Sequence, residues 1–423
     1  MLLKLINIIE KYKNDDVNEI VLKKKKNQDF VNISEKDFNF ILNQIACRQK
    51  YNEKFPIVIK DKQWTFPNVL SVEQASSELA AYYKSNIIEE YNSSIDLTGG
   101  LGIDSIYLYK KSKKHTYCEI DDYLYNTFTH NCKSLKLKSI KCFNSTAEDF
   151  IKSPDKYYDV LYIDPSRRND KLSLANSKPL SKVYLLEHLL PNILPLQKYF
   201  PKVASKSIIK LSPMLDINVV IEKINNISEI HIVSIDNDCK ELLVVCDYKN
   251  GTDIDNIMFV GTNFICDYKQ INNDIKSIIK NQQILEYRLT NSNKMQYAAS
   301  VDKYLFEPNA SIMKLSCWNI LCSNFNISKL HPNSHLFTAE NKDKEKKKFP
   351  GNIYEVVDIV NYDKKKILET IDKESKVSIK CRNFPDNPEE VQKTLKLKDG
   401  NDYYLFCTTL IDNSLKVIIT NKI

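Results

Sequence analysis

The sequence predicts an α/β fold: a mostly parallel sheet wrapped by helices, preceded by a helical region and followed by small α+β domains. Three observations predict it. Three of the chain's seven glycines, Gly99, Gly100 and Gly102, crowd together directly after a strand-like run. From there, strand-like and helix-like segments alternate at the intervals of a doubly wound sheet. The alternation then closes on two adjacent strands joined by a short polar turn, a hairpin signal.

The first strand and its turn span residues 94–104, where an apolar run ending in Asp96 and Thr98 meets the glycines and a helix start. Glycine so concentrated means that the backbone bends tightly or meets a ligand closely. The spacing sets the ligand class. A dinucleotide fingerprint needs Gly-x-Gly-x-x-Gly, but Ser105 stands where the third glycine belongs. What remains is Asp-x-x-x-Gly-x-Gly, opened by Asp96.

The second strand, residues 115–119, ends in Glu119 and is followed by Ile120 and Asp121. A carboxylate at that strand end can accept from both hydroxyls of a ribose, whereas Asp121 fits a helix cap better. A helix over 122–135 leads to the third strand, 139–143, after which Ser145 and Thr146 are the polar candidates for a base and the acids come only later. The fourth strand, 157–163, ends in Asp164-Pro165-Ser166-Arg167-Arg168. Paired guanidinium forks suit a phosphate. The fifth strand end carries Lys210 and Ser212 and offers no cysteine nucleophile, so direct transfer onto an acceptor is expected rather than covalent attack by a thiolate. The hairpin, 229–235 and 241–247, closes the sheet.

At 423 residues the chain exceeds a single domain of this kind. The organisation expected is an N-terminal helical region over 1–92, the α/β core over 93–249, a small α+β unit over 250–340, and a last domain over 341–423 behind a Lys-rich linker. Within the first region, 71–84 reads as a capped helix able to cover the turn, although ordinary helix packing is the preferred account. Hydrophobic content of 43% supports packed cores and excludes wholesale disorder. No stretch reaches the length of a membrane span and no signal peptide is apparent, so a cytoplasmic location is expected. The eleven cysteines are scattered without a Cys-x-x-Cys pair and read as reduced thiols. Cys317, Cys322, His331 and His335 stand in zinc-like order, but the gap between the pairs is too short for a finger, and no metal is expected. A net charge of +7 permits an RNA partner without requiring one. In the last domain, Lys380, Arg382 and Phe384 combine charge with an aromatic ring that could hold a phosphate and stack a base, or form a structural loop.

In combination, 96–104, 164–168, 212–216 and 380–385 resemble one bacterial family over nearly the whole chain. These are class I S-adenosylmethionine-dependent methyltransferases with a Rossmann-like core, a ferredoxin-like unit and a C-terminal THUMP-like domain, known chiefly from Bacteroidetes. The resemblance implies a seven-stranded core, mostly parallel, with S-adenosylmethionine as cofactor. It implies Asp96, Thr98, Gly99, Gly100, Gly102, Glu119, Ile120, Ser145, Thr146 and Asp164 around that cofactor, with Asp96 at the methionine end. Asp164 and Pro165 match the Asp-Pro start of the motif that receives exocyclic amines in related enzymes. The aromatic residue that would stack on the base is missing. Arg167, Arg168, Lys210, Ser212, Lys380, Arg382 and Phe384 would meet the substrate. THUMP domains serve RNA-modifying enzymes, so RNA rather than DNA is the implied partner. A protein or small-molecule methyltransferase, and an inactive RNA-binding protein on the same fold, are the alternatives.

Overall fold

The computed structural model describes residues 2–167, 185–250, 253–288, 295–342, 348–371 and 374–423. They form two compact units, and the chain passes between them several times. One unit holds Met1–Ile230, Glu241–Ile254 and Cys266–Lys280; the other holds His231–Lys240, Asp255–Ile265 and Asn281–Ile423.

The sheet of the first unit contains β1 (Ser93–Asp96), β2 (Lys114–Glu119), β3 (Ile140–Asn144), β4 (Tyr158–Ile163) and β5 (Ala204–Leu211). β1 lies between β2 and β4, β3 flanks β2 and β5 flanks β4, all of these pairs parallel. Burial of Ile95, Tyr117, Val160, Leu161, Ile208 and Ile209 explains why these strands read as continuous apolar runs. β6 (Ile227–Ile235) leads through Asp236 and Asn237, both left-handed at φ 50 and 64, into β7 (Asp238–Asp247). β7 then pairs antiparallel with β5 from Glu241's neighbour Leu242 onward. The expected parallel core with an antiparallel closing strand is what the chain builds.

Ahead of β1 the chain is helical. The helices Leu2–Tyr12 and Glu35–Lys50 bury Leu5, Ile8, Phe38, Ile41 and Ile45 in one cluster. Ser34 caps the second of them through the Asp37 N–H at 3.1 Å. Residues 71–84 are not one helix. Val69–Gln74 ends at Ala75, and Ser77 caps a new helix, Glu78–Ile87, by accepting from the Ala80 N–H at 3.2 Å. Two serines in succession after Ala75 offered the backbone a cap inside the run, and the chain used it.

The second unit contains an eight-stranded sheet. Its central members are β8 (Tyr304–Pro308), β9 (Phe337–Ala339), β10 (Gly351–Asn361), β11 (Lys376–Arg382), β12 (Tyr403–Thr409) and β13 (Leu415–Lys422). β8 pairs antiparallel with both β9 and β10, and the sheet continues through β13 and β12 to β11. Residues on either side of position 341 therefore share one sheet. No helix among the described residues is long and apolar enough to cross a membrane.

Candidate functional site

The β1 strand delivers Asp96 into the interior, fully buried. Its carboxylate accepts from the Thr98 N–H at 3.0 Å and from Ser105 Oγ at 2.7 Å. Ser105 occupies the place of the missing third glycine, so the departure from a dinucleotide fingerprint has a structural use here. Burial raises the Asp96 pKa to about 7, against the Ser105 hydrogen bond and with the help of nearby Asp104.

The three glycines have different reasons to be glycine. A Cβ on Gly99 would fall 2.1 Å from the Tyr117 ring, and one on Gly102 would fall 2.0 Å from Phe128. Those rings stack at 4.0 Å beneath the turn. Packing therefore dictates both positions. Gly100, at φ +53, would carry its Cβ no nearer than 3.8 Å to the Thr98 carbonyl, in open space beside the cavity. It is Gly100 whose missing side chain leaves room for a ligand to approach the turn. Its N–H donates to Glu119 Oε2 at 2.7 Å, while Glu119 Oε1 accepts from the Asp121 N–H at 2.9 Å. Glu119 thus ties the end of β2 to the turn. Each of its oxygens keeps a further acceptor position for a ligand hydroxyl.

Around this turn lies a cavity of about 710 Å³ whose wall includes Thr98, Gly99, Gly100, Gly102, Glu119, Ile120, Ser145, Thr146 and Asp164. Ile120 is two-thirds exposed, an apolar surface at the rim. Thr146 caps the following short helix, accepting from the Asp149 N–H at 2.9 Å and donating to its carboxylate at 2.7 Å. Ser145 Oγ donates to the Thr146 carbonyl at 3.2 Å. Glu148 and Asp149 line the cavity beside them. So do Ser71, Gln74, Ala75 and Ser76 from the helical region, and Leu190 and Pro191. The sequence placed 71–84 as a possible cover for the turn but gave no sign of Leu190 and Pro191, because a wall contributed by a distant chain segment leaves no local motif.

Asp164 stands at the end of β4. Its N–H donates to Thr98 Oγ1 at 2.7 Å, locking the ends of β1 and β4 together. Its carboxylate is 2.5 Å from Lys210 Nζ, brought alongside by β5. Burial raises the Asp164 pKa, with Lys210 pulling the other way. Burial likewise opposes the Lys210 ammonium, but Asp164, Glu241 and Asp104 together hold its pKa above the ordinary value. Pro165 is buried. Ser166 and Arg167 form a two-residue antiparallel pair with Leu190 and Leu189. Arg168 lies outside the described residues. Ser212 Oγ accepts from the Met214 N–H at 3.2 Å, and Ser212 is not part of the cavity wall.

The remaining expected residues lie in the second unit. Lys380 Nζ is 2.5 Å and an Arg382 nitrogen 3.2 Å from the carboxylate of the buried Glu307, and Tyr354 donates to the same group at 3.1 Å. Burial would raise the Glu307 pKa, yet Lys380 and Arg382 hold it below the ordinary value. Phe384 packs edge-on against Tyr362 at 5.0 Å and lines an open groove with Asn383, Pro385 and Asp386. Lys380 and Arg382 are therefore engaged with an internal acid, and Phe384 is the member that reaches a groove. His331 accepts from the Asn333 N–H at 3.1 Å and His335 stacks on Trp318 at 4.7 Å. Among the described residues no group of three or more His, Cys, Asp or Glu could hold a metal ion.

Compared with known proteins, residues 304–350 match the model of a ferredoxin-like domain and residues 351–422 match the model of a THUMP domain-like family. A search of curated protein sequences gives no match. Among solved structures, the chain is similar to a presumed methyltransferase from Porphyromonas gingivalis W83, at 25% identity and a TM-score of 0.81 over 100% of this chain and 98% of that one. The protein has a class I methyltransferase fold. A presumed methyltransferase from Streptococcus mutans in complex with S-adenosylhomocysteine matches at 15% identity, covering 40% of this chain and 94% of that one with a TM-score of 0.29. The M. capricolum protein TrmK in complex with S-adenosylhomocysteine matches at 16% identity, covering 41% and 70% with a TM-score of 0.30.

Proposed function

We propose that the protein is an S-adenosylmethionine-dependent methyltransferase that modifies RNA by direct transfer. The observation that carries this reading is the placing of Asp164, with the buried Pro165 next in the chain, on the wall of the cavity that Gly100 and Glu119 open. A protein that merely binds RNA has no use for a lysine-paired carboxylate there. The residues present fit the cofactor. Gly100 presents no side chain to the ligand, Glu119 keeps acceptor capacity for ribose hydroxyls, Ile120 offers an apolar face, and Asp96, buried behind the wall, shapes the turn at the methionine end by accepting from the Thr98 N–H. When bound, S-adenosylmethionine supplies a methyl group already activated on a sulfonium.

The chain's own part is positioning, exclusion of water and acceptance of a proton. Asp164, fixed by Thr98 and Lys210, has one oxygen with no hydrogen bond among the described residues, and that oxygen orients or deprotonates the acceptor. Arg167 and Arg168 position an anionic backbone. In the second unit, the groove at Phe384 captures RNA, whereas Lys380 and Arg382, held by Glu307, lie outside its lining. The THUMP domain-like match over 351–422 supports this assignment.

Titration calorimetry with S-adenosylmethionine, S-adenosylhomocysteine and NAD tests the cofactor, and binding of NAD alone would overturn it. Incubation with methyl-labelled S-adenosylmethionine and separated RNA, protein and metabolite fractions tests the substrate. Label in RNA is expected. Label in protein or metabolites alone would reassign the substrate, and no label anywhere would leave a binding protein.

A further inference from the structure

Behind the cavity, the first unit buries more charge than the transfer reaction uses. Lys84, on the Glu78–Ile87 helix, is 1% exposed and lies 2.8 Å from both Asp104 Oδ1 and Glu241 Oε1. Its ammonium also donates to Ser76 Oγ at 2.6 Å, and Ser76 Oγ lies 2.8 Å from Asp104 Oδ2. Tyr162 donates to Asp104 Oδ2 at 3.0 Å. Glu241 Oε2 is buried without any hydrogen bond among the described residues. Lys210, bound to Asp164, sits within the electrostatic reach of the same Asp104 and Glu241. Two ammonium groups thus share three carboxylates, Asp104, Asp164 and Glu241; Lys84 and Glu241 are buried, while Asp164 is partly exposed at the cavity.

In such a cluster the choice of partner is a competition. A buried acid stripped of its cation leaves an uncompensated charge that draws the nearest remaining cation. If Lys84 did not hold Asp104 and Glu241, Lys210 would be pulled toward them and away from Asp164. We propose that Lys84 is a positioning residue for the transfer reaction: by holding Asp104 and Glu241 it keeps Lys210 committed to Asp164, and so fixes the carboxylate that meets the acceptor. A helix ahead of the core thereby sets the state of a group at the end of β4. The inference rests on the reading of Asp164 as that group.

The groups that act electrostatically on Asp164 are Lys210 on β5, Lys84 on the helix, Asp104 beyond the glycine turn, Asp96 on β1 and Tyr162 on β4, while Glu241 on β7 acts on Lys210. Lys84→Gln removes a cation and loosens Lys210, so the Asp164 titration should move up. Glu241→Gln removes a competing anion, so it should move down. Lys84→Arg should restore the original value. The measurement is carbon-13 NMR titration of the full chain labelled at aspartate carboxyls, with Asp164→Asn to assign the signal. A purely structural role for Lys84 predicts lower thermal stability in both variants with an unmoved or same-direction titration, and either result overturns the proposal. Should Lys84→Gln fail to fold, Ser76→Ala, which removes one of the hydrogen bonds holding the Lys84 ammonium, decides: an upward movement supports the proposal and an unmoved titration overturns it. S-adenosylhomocysteine binding is measured on the same samples. Opposite shifts without binding would overturn the methyltransferase reading alone, and binding without the shifts would overturn this inference alone.

Discussion

At the scale of single residues, the glycine turn separates packing from ligand access. Gly102→Ala forces a Cβ into the Phe128 ring at a φ of +84, so steric overlap and left-handed strain act together. We expect it to lower stability by about 3 kcal/mol or more in denaturant titration. Gly100→Ala meets no neighbour closer than 3.8 Å, so only the left-handed backbone term of about 1 kcal/mol applies. It should keep the fold yet weaken S-adenosylhomocysteine binding at least tenfold by calorimetry. Equal loss of stability in the two variants would show that packing does not distinguish the two positions. Asp96 makes a second prediction. Its pKa in the fold, about 7, stands above the ordinary 3.8, so the folded state holds a proton that the unfolded state has lost. Stability from this group is fully present below about pH 4 and is lost as pH rises toward 7, a difference of about 4 kcal/mol. Comparing the unfolding free energy of the parent chain with that of Asp96→Asn across this range should show the parent losing ground as pH rises. Parallel curves would refute the assignment.

At the scale of elements, the helical region ahead of the sheet is part of the site rather than an appendage. Arg48, buried on the Glu35–Lys50 helix, donates to the carbonyls of Ile59 at 2.9 Å and Trp64 at 2.7 Å. Glu78 accepts from the Ile57 and Val58 N–H groups and from Tyr107 at 3.0 Å. These two side chains satisfy the backbone of a segment that has little regular structure of its own. Arg48→Met would leave those carbonyls buried and unpaired, a loss of about 3 kcal/mol, visible as a lower midpoint in denaturant. Unchanged stability would mean that water replaces the guanidinium. The sequence showed the parallel strands well, because burial on both faces writes them as apolar runs, and it showed Asp96, Glu119 and Asp164 because each ends such a run. It hid the buried pairing of Lys84 and the place of Pro191 on the wall. Nothing local distinguishes a lysine that will be buried against two acids from one on a solvated face, and the pairing arises only when Glu241 arrives from 157 residues away. Residues 71–84 looked like one helix for a related reason: the serines that break it are also tolerable in a helix interior.

At the scale of the whole molecule, capture of RNA has to be tested with the chain entire. The lysine-rich stretch near residue 341 looks in sequence like a place to cut, but one apolar cluster joins Leu305, Leu330 and Leu336 before it to Tyr354, Phe406 and Ile418 after it. β8 also pairs with β10 over five residues, and Glu307 takes its cations from Lys380 and Arg382. Truncation after Asn341 would strip the Glu307 carboxylate of both partners and expose the edge of β8, a template for aggregation. The truncated chain should therefore elute as aggregates in size-exclusion chromatography, and loss of RNA binding in it would say nothing about contacts. A stable, monomeric truncated chain would overturn that expectation. Phe384→Ala in the full chain is the sharper probe, since the ring lines the open groove and leaves the Glu307 cluster untouched. A stacking contact predicts that RNA affinity falls by about 1 to 3 kcal/mol while the slope against salt concentration stays the same, because no phosphate contact is lost. A change of slope would assign the groove to the phosphate backbone, and unchanged affinity would remove Phe384 from RNA capture.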